Sequence, residues 1–246
     1  MIIRIDNIEC TANEGETIMQ AARNNGVFIP GLCYSEAVDG GTCCRLCMVE
    51  VEEKGWNRLV AACAYLVKDG MSVITNSDKV ERVRKTTLKL LYLQAPESER
   101  VLSLMEKYGV EPEKRLSQKE GGCIMCGLCV KACEMLGSSA ISTVSRGINK
   151  KISTPYGQPA EDCTGCAACA LICPSGSIQI EQTGYTRTIW NREFEMVSCE
   201  CCGKSFATLA QYKATLAKAG MVEDSVVICE DCRRKSSVRA FGRFLA

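Results

Sequence analysis

The chain has 246 residues with a formal charge of +1, no histidine and 19 cysteines, which fall in four groups separated by cysteine-free segments. That length allows one large domain or two to three small ones. No basic-then-apolar leader opens the chain, and no stretch approaches a membrane span, so secreted and membrane proteins are disfavoured. Before the C-terminus no basic stripe carries interleaved aromatic residues, so a nucleic-acid-binding protein is disfavoured as well. We expect a cytoplasmic protein whose reduced cysteines bind metals.

Residues 1–77 are predicted to form a small mixed sheet with one helix. The expected strands are residues 1–5, 8–11, 48–52, 59–62 and 71–75. Turn-prone residues separate them, Asp6-Asn7 in the first hairpin and Lys54-Gly55 in the second. Helical spacing over residues 17–25 ends at Gly26. A helix laid across such a sheet is the β-grasp arrangement.

Four cysteines in this region have the spacing of a 2Fe-2S site. Ten residues separate Cys33 from Cys44, two separate Cys44 from Cys47, and fifteen separate Cys47 from Cys63. Plant-type ferredoxins have a shorter first gap but also hold their cluster with four thiolates. Spacing alone leaves the neighbouring Cys43 as an alternative to Cys44.

The sequence around these cysteines favours Cys44 over Cys43, because it resembles that of a known family. Residues 41–52 read Gly-Thr-Cys-Cys-Arg-Leu-Cys-Met-Val-Glu-Val-Glu, and residues 59–63 read Leu-Val-Ala-Ala-Cys. This resembles the N-terminal 2Fe-2S domain shared by the large iron-sulfur subunit of NADH dehydrogenase, iron-only hydrogenases and diaphorase subunits of NAD-linked hydrogenases. The family's Cys-Arg-x-Cys text falls on residues 44–47, which implies the ligands Cys33, Cys44, Cys47 and Cys63. Cys43 and Cys10 are then expected to be non-ligands.

Residues 78–118 are predicted to be a helical connector that packs between modules. The first helix should begin at Ser77 or Asp78, end near Ala95-Pro96, and bury Val80, Val83, Thr87, Leu90 and Leu91. The second carries Val101, Leu104, Met105 and Tyr108 at helical spacing. Much of the resembled family has a cluster with one His and three Cys ligands after this region. Residues 64–122 contain no cysteine, so we expect that site to be missing.

Residues 119–182 carry the spacing Cys-x2-Cys-x2-Cys-x3-Cys twice. The runs are Cys123, Cys126, Cys129, Cys133 and Cys163, Cys166, Cys169, Cys173. In bacterial two-cluster ferredoxins the fourth cysteine of each run binds the cluster of the other run. We therefore predict two 4Fe-4S sites, one of Cys123, Cys126, Cys129 and Cys173 and one of Cys163, Cys166, Cys169 and Cys133. Pro174 closes the second run, whereas Glu134 follows the first and opens a long insert to residue 162.

The C-terminal part is predicted to be a connector, residues 183–198, a four-cysteine module, residues 199–235, and a basic tail, residues 236–246. The module carries two Cys-x2-Cys knuckles, Cys199 with Cys202 and Cys229 with Cys232. Four thiolates in this layout favour a structural zinc ion, with a further iron-sulfur cluster as the alternative. Cys201 remains an alternative to Cys199. The basic residues Arg233, Arg234, Lys235, Arg239 and Arg243 indicate either a solvated end or a docking segment.

These sites together predict an α+β electron-relay subunit with one 2Fe-2S cluster, two 4Fe-4S clusters and one zinc ion. All-cysteine clusters offer no open position to a substrate. The sequence has neither a Gly-x-Gly-x-x-Gly turn for a nucleotide nor a P-loop, so we expect no catalytic residues in this chain. Alternatives are a free-standing multi-cluster carrier and a redox-sensing regulatory module.

The resemblance also implies partners. These are a flavin-bearing, NAD(P)H-oxidising subunit with a small 2Fe-2S companion, and a hydrogenase, another redox subunit or ferredoxin. Joining a 2Fe-2S domain to a two-cluster domain is typical of hydrogenase and electron-bifurcating complexes. Spacing leaves open the terminal donor and acceptor, the reduction potentials, bifurcation and the oligomeric state.

Overall fold

The computed structural model describes the chain apart from residues 39, 40, 54, 114, 221–226 and 243–246, and describes no side chain at residues 53 and 237–242. The predicted turn residue Lys54, the tail residue Arg243 and the side chain of Arg239 thus lie outside the described part. The chain divides into two compact units. The N-terminal unit comprises Met1–Lys131 with Ile172–Ser177, and the C-terminal unit comprises Ala132–Leu171 with Ile178–Ala246.

A five-stranded sheet opens the N-terminal unit. Its strands are β1 (Ile2–Ile5), β2 (Ile8–Thr11), β3 (Met48–Glu53), β4 (Trp56–Ala61) and β5 (Ser72–Ile74). They lie in the order β2-β1-β5-β3-β4, with β1 and β5 parallel and the other neighbours antiparallel. Asp6 and Asn7 form the first turn with φ of 48° and 67°, a conformation that Asp and Asn adopt more readily than most residues. The five predicted strands are confirmed.

Helix α1 (Ile18–Asn24) packs on this sheet. Thr17 starts it, because its hydroxyl accepts the Gln20 N–H at 3.3 Å while the Gln20 side chain accepts the Thr17 N–H at 2.8 Å. Ile18 and Met19 are fully buried, and each such side chain contributes roughly 1.5–3 kcal/mol by leaving water. The single helix across the sheet is therefore held by an apolar core of its own.

Helices α2 (Asp78–Gln94) and α3 (Glu99–Lys107) follow as predicted. The hydroxyls of Ser77 and Ser98 cap their first turns. Both helices share one buried core with residues next to the cysteines, namely Leu32, Leu46 and Ile124. The connector thus packs on the cysteine loops, as expected of a packing element.

The buried face of α2 differs from the prediction. Val80 and Leu91 are buried, but Leu90 is 56% exposed, and Arg84 and Leu88 are buried in its place. The Arg84 guanidinium donates to three backbone carbonyls, those of Leu46 (3.2 Å), Met48 (3.2 Å) and Thr75 (3.1 Å). Apolar spacing misses a buried charged residue whose donors are satisfied by the backbone.

The cysteine runs are joined by short elements. Helix α4 (Leu128–Met135) carries the end of the first run, and the division between the units falls within it. The insert forms a hairpin of β6 (Ser142–Val144) and β7 (Lys151–Ser153), and the second run contains helix α5 (Ala168–Leu171). The insert is thus a hairpin whose second strand is followed by residues 154–162, which lead to the second run.

A second antiparallel sheet completes the C-terminal unit. Its strands are β8 (Glu181–Gln182), β9 (Thr186–Ile189), β10 (Arg192–Ser198) and β11 (Ser205–Thr208), in the order β11-β10-β9-β8, followed by α6 (Leu209–Ala219) and α7 (Glu230–Gly242). The stretch predicted as a connector therefore forms two of these strands. Alternate burial of Phe194 and Met196 along β10 was the missed strand signal.

Candidate iron-sulfur and metal centres

The four N-terminal cysteines come together in the loop before β3 and just after β4. The sulfurs of Cys33 and Cys44 lie 3.3 Å apart, as do those of Cys47 and Cys63. Backbone amides point at two of them: Leu32 N–H lies 3.4 Å from Cys44 Sγ, and Cys44 N–H lies 3.4 Å from Cys33 Sγ. This is a thiolate pocket with amide donors already in place.

The thiols of this pocket perturb one another. Hydrogen bonds from Cys43, Cys44 and Cys63 hold the pKa of Cys33 far below its ordinary value. The bond from Cys63 lowers the pKa of Cys47 to about 7. The same hydrogen bonds raise the pKa of Cys44 and of Cys63, so the four thiols are close enough to share protons.

The two predicted non-ligands lie in different surroundings. Cys10 is fully buried in the core of the sheet, and burial raises its pKa. Cys43 is exposed, yet its thiol is hydrogen-bonded to Cys33, and this bond raises the pKa of Cys43. Cys10 therefore lies outside the pocket, and Cys43 lies at its edge.

The first four-cysteine group of the ferredoxin region lies within the N-terminal unit. Burial, with the nearby Cys173 and Cys123 charges, raises the pKa of Cys126 to about 11 and that of Cys129 to about 12. Burial also raises the pKa of Cys173, but bonds from Ser175 and Ser177, each 3.5 Å away, bring it below its ordinary value. The last cysteine of the second run thus accompanies the first run.

The second four-cysteine group of the ferredoxin region lies within the C-terminal unit. Cys133, Cys163, Cys166 and Cys169 line one cavity. The N–H of Ala140 lies 3.2 Å from Cys133 Sγ. The last cysteine of the first run therefore accompanies the second run, which is the crossed grouping that the spacing predicts.

The two runs share one backbone conformation. The second and fourth residues after the first cysteine are left-handed in both, Met125 and Gly127 with φ of 56° and 78°, Gly165 and Ala167 with φ of 67° and 65°. Gly165 has a second constraint, because a Cβ there would lie 2.6 Å from the Phe194 ring. The repeated spacing therefore encodes a repeated loop.

Side chains from the second sheet hold the second cysteine loop. Arg192 donates to three carbonyls, those of Ala160 (2.7 Å), Glu161 (2.8 Å) and Cys163 (3.2 Å). Arg187 donates to the carbonyl of Gly165 at 2.9 Å, and the buried Thr208 hydroxyl donates to that of Thr164. The sheet is thus the scaffold of this loop.

The C-terminal cysteines are grouped most tightly. The sulfurs of Cys199, Cys202, Cys229 and Cys232 all lie within 4.8 Å of one another. Cys229 N–H lies 3.2 Å from Cys199 Sγ, and this amide lowers the pKa of Cys199 to about 6. Zinc-sulfur bonds of about 2.3 Å place four tetrahedral sulfurs roughly 3.8 Å apart. This group contains Cys199 and not Cys201, so the geometry favours Cys199 as the fourth member.

Comparison with known proteins agrees with these groups. Residues 1–78 match a 2Fe-2S iron-sulfur cluster binding domain, and residues 122–177 match a 4Fe-4S dicluster domain. The chain is therefore an iron-sulfur protein of mixed α/β fold. Among the described residues, no helix is long and apolar enough to cross a membrane.

Its relatives specify the group of iron-sulfur proteins. The chain is 31% identical over 201 residues to the NADPH-Fe(3+) oxidoreductase subunit alpha of Geobacter sulfurreducens, covering 72% of this chain and 24% of the relative. It is 31% identical over 214 residues to the NADP-reducing hydrogenase subunit HndD of Solidesulfovibrio fructosivorans, covering 72% and 36%. A crystal structure of NAD+-reducing [NiFe]-hydrogenase in the H2-reduced state matches with a TM-score of 0.62 and 26% identity, covering 72% of this chain and 85% of that one.

These matches confirm the resemblance found in the sequence. The chain is related to iron-sulfur subunits of NAD(P)H-linked hydrogenases and dehydrogenases. It spans 24% and 36% of the length of the two curated relatives above.

Proposed function

We propose that the chain is an electron-relay subunit of a cytoplasmic multi-subunit oxidoreductase. The observation that carries the proposal is the crossed grouping of thiols, in which Cys173 joins the first run and Cys133 joins the second. A chain that combines two such 4Fe-4S sites with a 2Fe-2S domain has several centres that can pass single electrons.

The ligand sets that we propose follow the thiol groups. Cys33, Cys44, Cys47 and Cys63 hold the 2Fe-2S cluster. Cys123, Cys126, Cys129 and Cys173 hold one 4Fe-4S cluster, and Cys133, Cys163, Cys166 and Cys169 hold the other. When bound, such clusters accept and release single electrons without offering an open position to a substrate.

The polypeptide supplies the surroundings. Amide donors such as Leu32 N–H and Ala140 N–H point at the thiolate sulfurs. The core that α2 and α3 share with Leu32 and Leu46 also contains Cys33 and Cys44. Both features favour a ligand loop that changes little in shape when its charge changes.

We assign zinc to Cys199, Cys202, Cys229 and Cys232. A four-iron cluster puts a separate iron in front of each thiolate and so spreads the sulfurs wider than a single ion does. A span of 4.8 Å or less suits the single ion better. The role proposed for it is structural.

The proposed partners follow from the relatives. A flavin-bearing, NAD(P)H-oxidising subunit with its small 2Fe-2S companion would meet residues 1–77, and a hydrogenase, another redox subunit or ferredoxin would meet residues 119–182. The names of the relatives, an NADPH-Fe(3+) oxidoreductase and an NADP-reducing hydrogenase, support this class of complex.

The test uses both the isolated chain and the native complex, purified without oxygen. The isolated chain should contain about ten iron atoms and one zinc ion, accept electrons from dithionite, and neither oxidise NADH nor evolve hydrogen. Deleting residues 1–77 should uncouple NADH from the far acceptor while dithionite still reduces the remaining clusters. Full coupling in the truncated complex would rule out this relay.

A further inference from the structure

One buried indole N–H near the second cysteine group has no hydrogen-bond partner in the part of the chain that the structure describes. It belongs to Trp190, one of the chain's two tryptophans. Unpaired buried donors are rare in folded proteins, because removing a polar group from water without a partner is unfavourable. The Trp190 N–H therefore requires an acceptor beyond the nitrogen and oxygen atoms around it.

The surroundings indicate which acceptor that is. Trp190 lines the same cavity as Cys133, Cys163, Cys166 and Cys169, and the rest of the lining includes the apolar side chains of Leu136, Ile141 and Ile189. Of these four thiols, the Cys169 thiol is the one on which the Trp190 N–H acts. The Cys169 sulfur is thus an acceptor within reach of the indole.

The hairpin that presents Trp190 is built in an uncommon way. Trp190 and Asn191 form the β9–β10 turn with φ of 52° and 58°. Asn and Gly are the usual residues there, and a bulky residue in this conformation is an outlier of the kind found at functional sites. Arg187 and Arg192, on either side of the turn, bind carbonyls of the cysteine loop. The two arginines therefore fix the indole beside the thiols.

We propose that Trp190 donates its indole N–H to the Cys169 sulfur and thereby raises the reduction potential of the 4Fe-4S cluster assigned to this group. The inference rests on the proposed function, since it requires a cluster at these cysteines. Reduction adds negative charge that is shared with the thiolate sulfurs. A donor directed at a sulfur therefore stabilises the reduced state more than the oxidised state.

The first experiment compares Trp190→Phe with Trp56→Phe in the full chain. Phenylalanine keeps an aromatic ring and removes the N–H, and Trp56 is a matched control because it is 79% exposed on β4. In Trp190→Phe we expect unchanged iron content. The reduction potential of one 4Fe-4S cluster should fall by about 59 mV, which for one electron is a tenfold shift of its redox equilibrium toward the oxidised state. The other signals should not move, and Trp56→Phe should match the parent.

The second experiment needs no change at Trp190. Trp56→Phe protein labelled with indole-15N tryptophan carries one labelled residue, and the reduced cluster should show a 15N coupling by pulsed electron paramagnetic resonance. Full iron content without that coupling would overturn the inference and leave the relay intact. Protein that binds no 4Fe-4S cluster at Cys133, Cys163, Cys166 and Cys169 would overturn the proposed function and this inference together.

Discussion

Each unit of the molecule has an arginine that donates to three backbone carbonyls, but the surroundings of the two arginines differ. Arg84 is 4% exposed in the core of the N-terminal unit, where it binds the carbonyls of Leu46, Met48 and Thr75. Arg192 is only half-buried and lies 4.8 Å from the centre of the Phe194 ring. The N-terminal loop is attached to an apolar core, whereas the C-terminal loop is held by polar contacts from a half-buried arginine.

Metal removal should produce the largest difference in local stability between the two units. Cys229→Ser breaks the four-thiolate group of a segment with few buried apolar residues, and structural zinc sites contribute apparent binding free energies of about 10–16 kcal/mol. We expect zinc loss and faster hydrogen exchange in α6, measured by mass spectrometry, with unchanged exchange in β1–β5. Normal assembly without electron transfer would instead indicate an electron-carrying cluster there.

The N-terminal cysteines should show the opposite behaviour. Cys44→Ser should abolish the 2Fe-2S signal in electron paramagnetic resonance, because it removes one of the four proposed ligands, while the sheet stays folded on its own core. Cys10→Ser is the matched control, since Cys10 is buried away from the pocket. Equal loss of signal in both variants would refute the ligand assignment.

Replacing each arginine by leucine tests the comparison directly. Arg84→Leu leaves buried carbonyls without a donor and should cost about 3 kcal/mol, whereas the carbonyls bound by Arg192 are closer to solvent and Arg192→Leu should cost about 1 kcal/mol. Local hydrogen exchange in β3 and in β10 measures the two effects separately. Similar costs at both sites would remove the distinction between the units.

The two repeated loops are also expected to differ at their left-handed glycines, Gly127 and Gly165. Gly127→Ala adds a methyl group with no atom within 4 Å, so only the left-handed φ opposes it, at about 1–2 kcal/mol. Gly165→Ala meets the same penalty and also the Phe194 ring, for a further 1–3 kcal/mol or so. Thermal release of iron from each variant provides the measurement, and equal release would show that Phe194 moves aside freely.

Local signals predicted much of this fold. The Asp6-Asn7 turn, the Thr17 and Ser77 helix starts and the crossed cysteine runs all depend on residues close in sequence or on a fixed metal spacing. Arg84 was missed because its burial depends on carbonyls from distant strands. Strand β10 was missed because its Thr and Arg neighbours concealed the alternation of Phe194 and Met196. Trp190 has no local signature, since its importance depends on the cavity it faces.

The contact between Gly165 and Phe194 also constrains how this sequence can evolve. A side chain at position 165 requires space that the Phe194 ring fills, since the added Cβ would lie 2.6 Å from it. Related chains should therefore change the two positions together, with a small residue at 194 wherever 165 is not glycine. At the equivalent position of the first run, Met125 already carries a side chain in the same left-handed conformation, with φ of 56°. The first run therefore accommodates a side chain at this position, whereas the second run does so only if residue 194 changes as well.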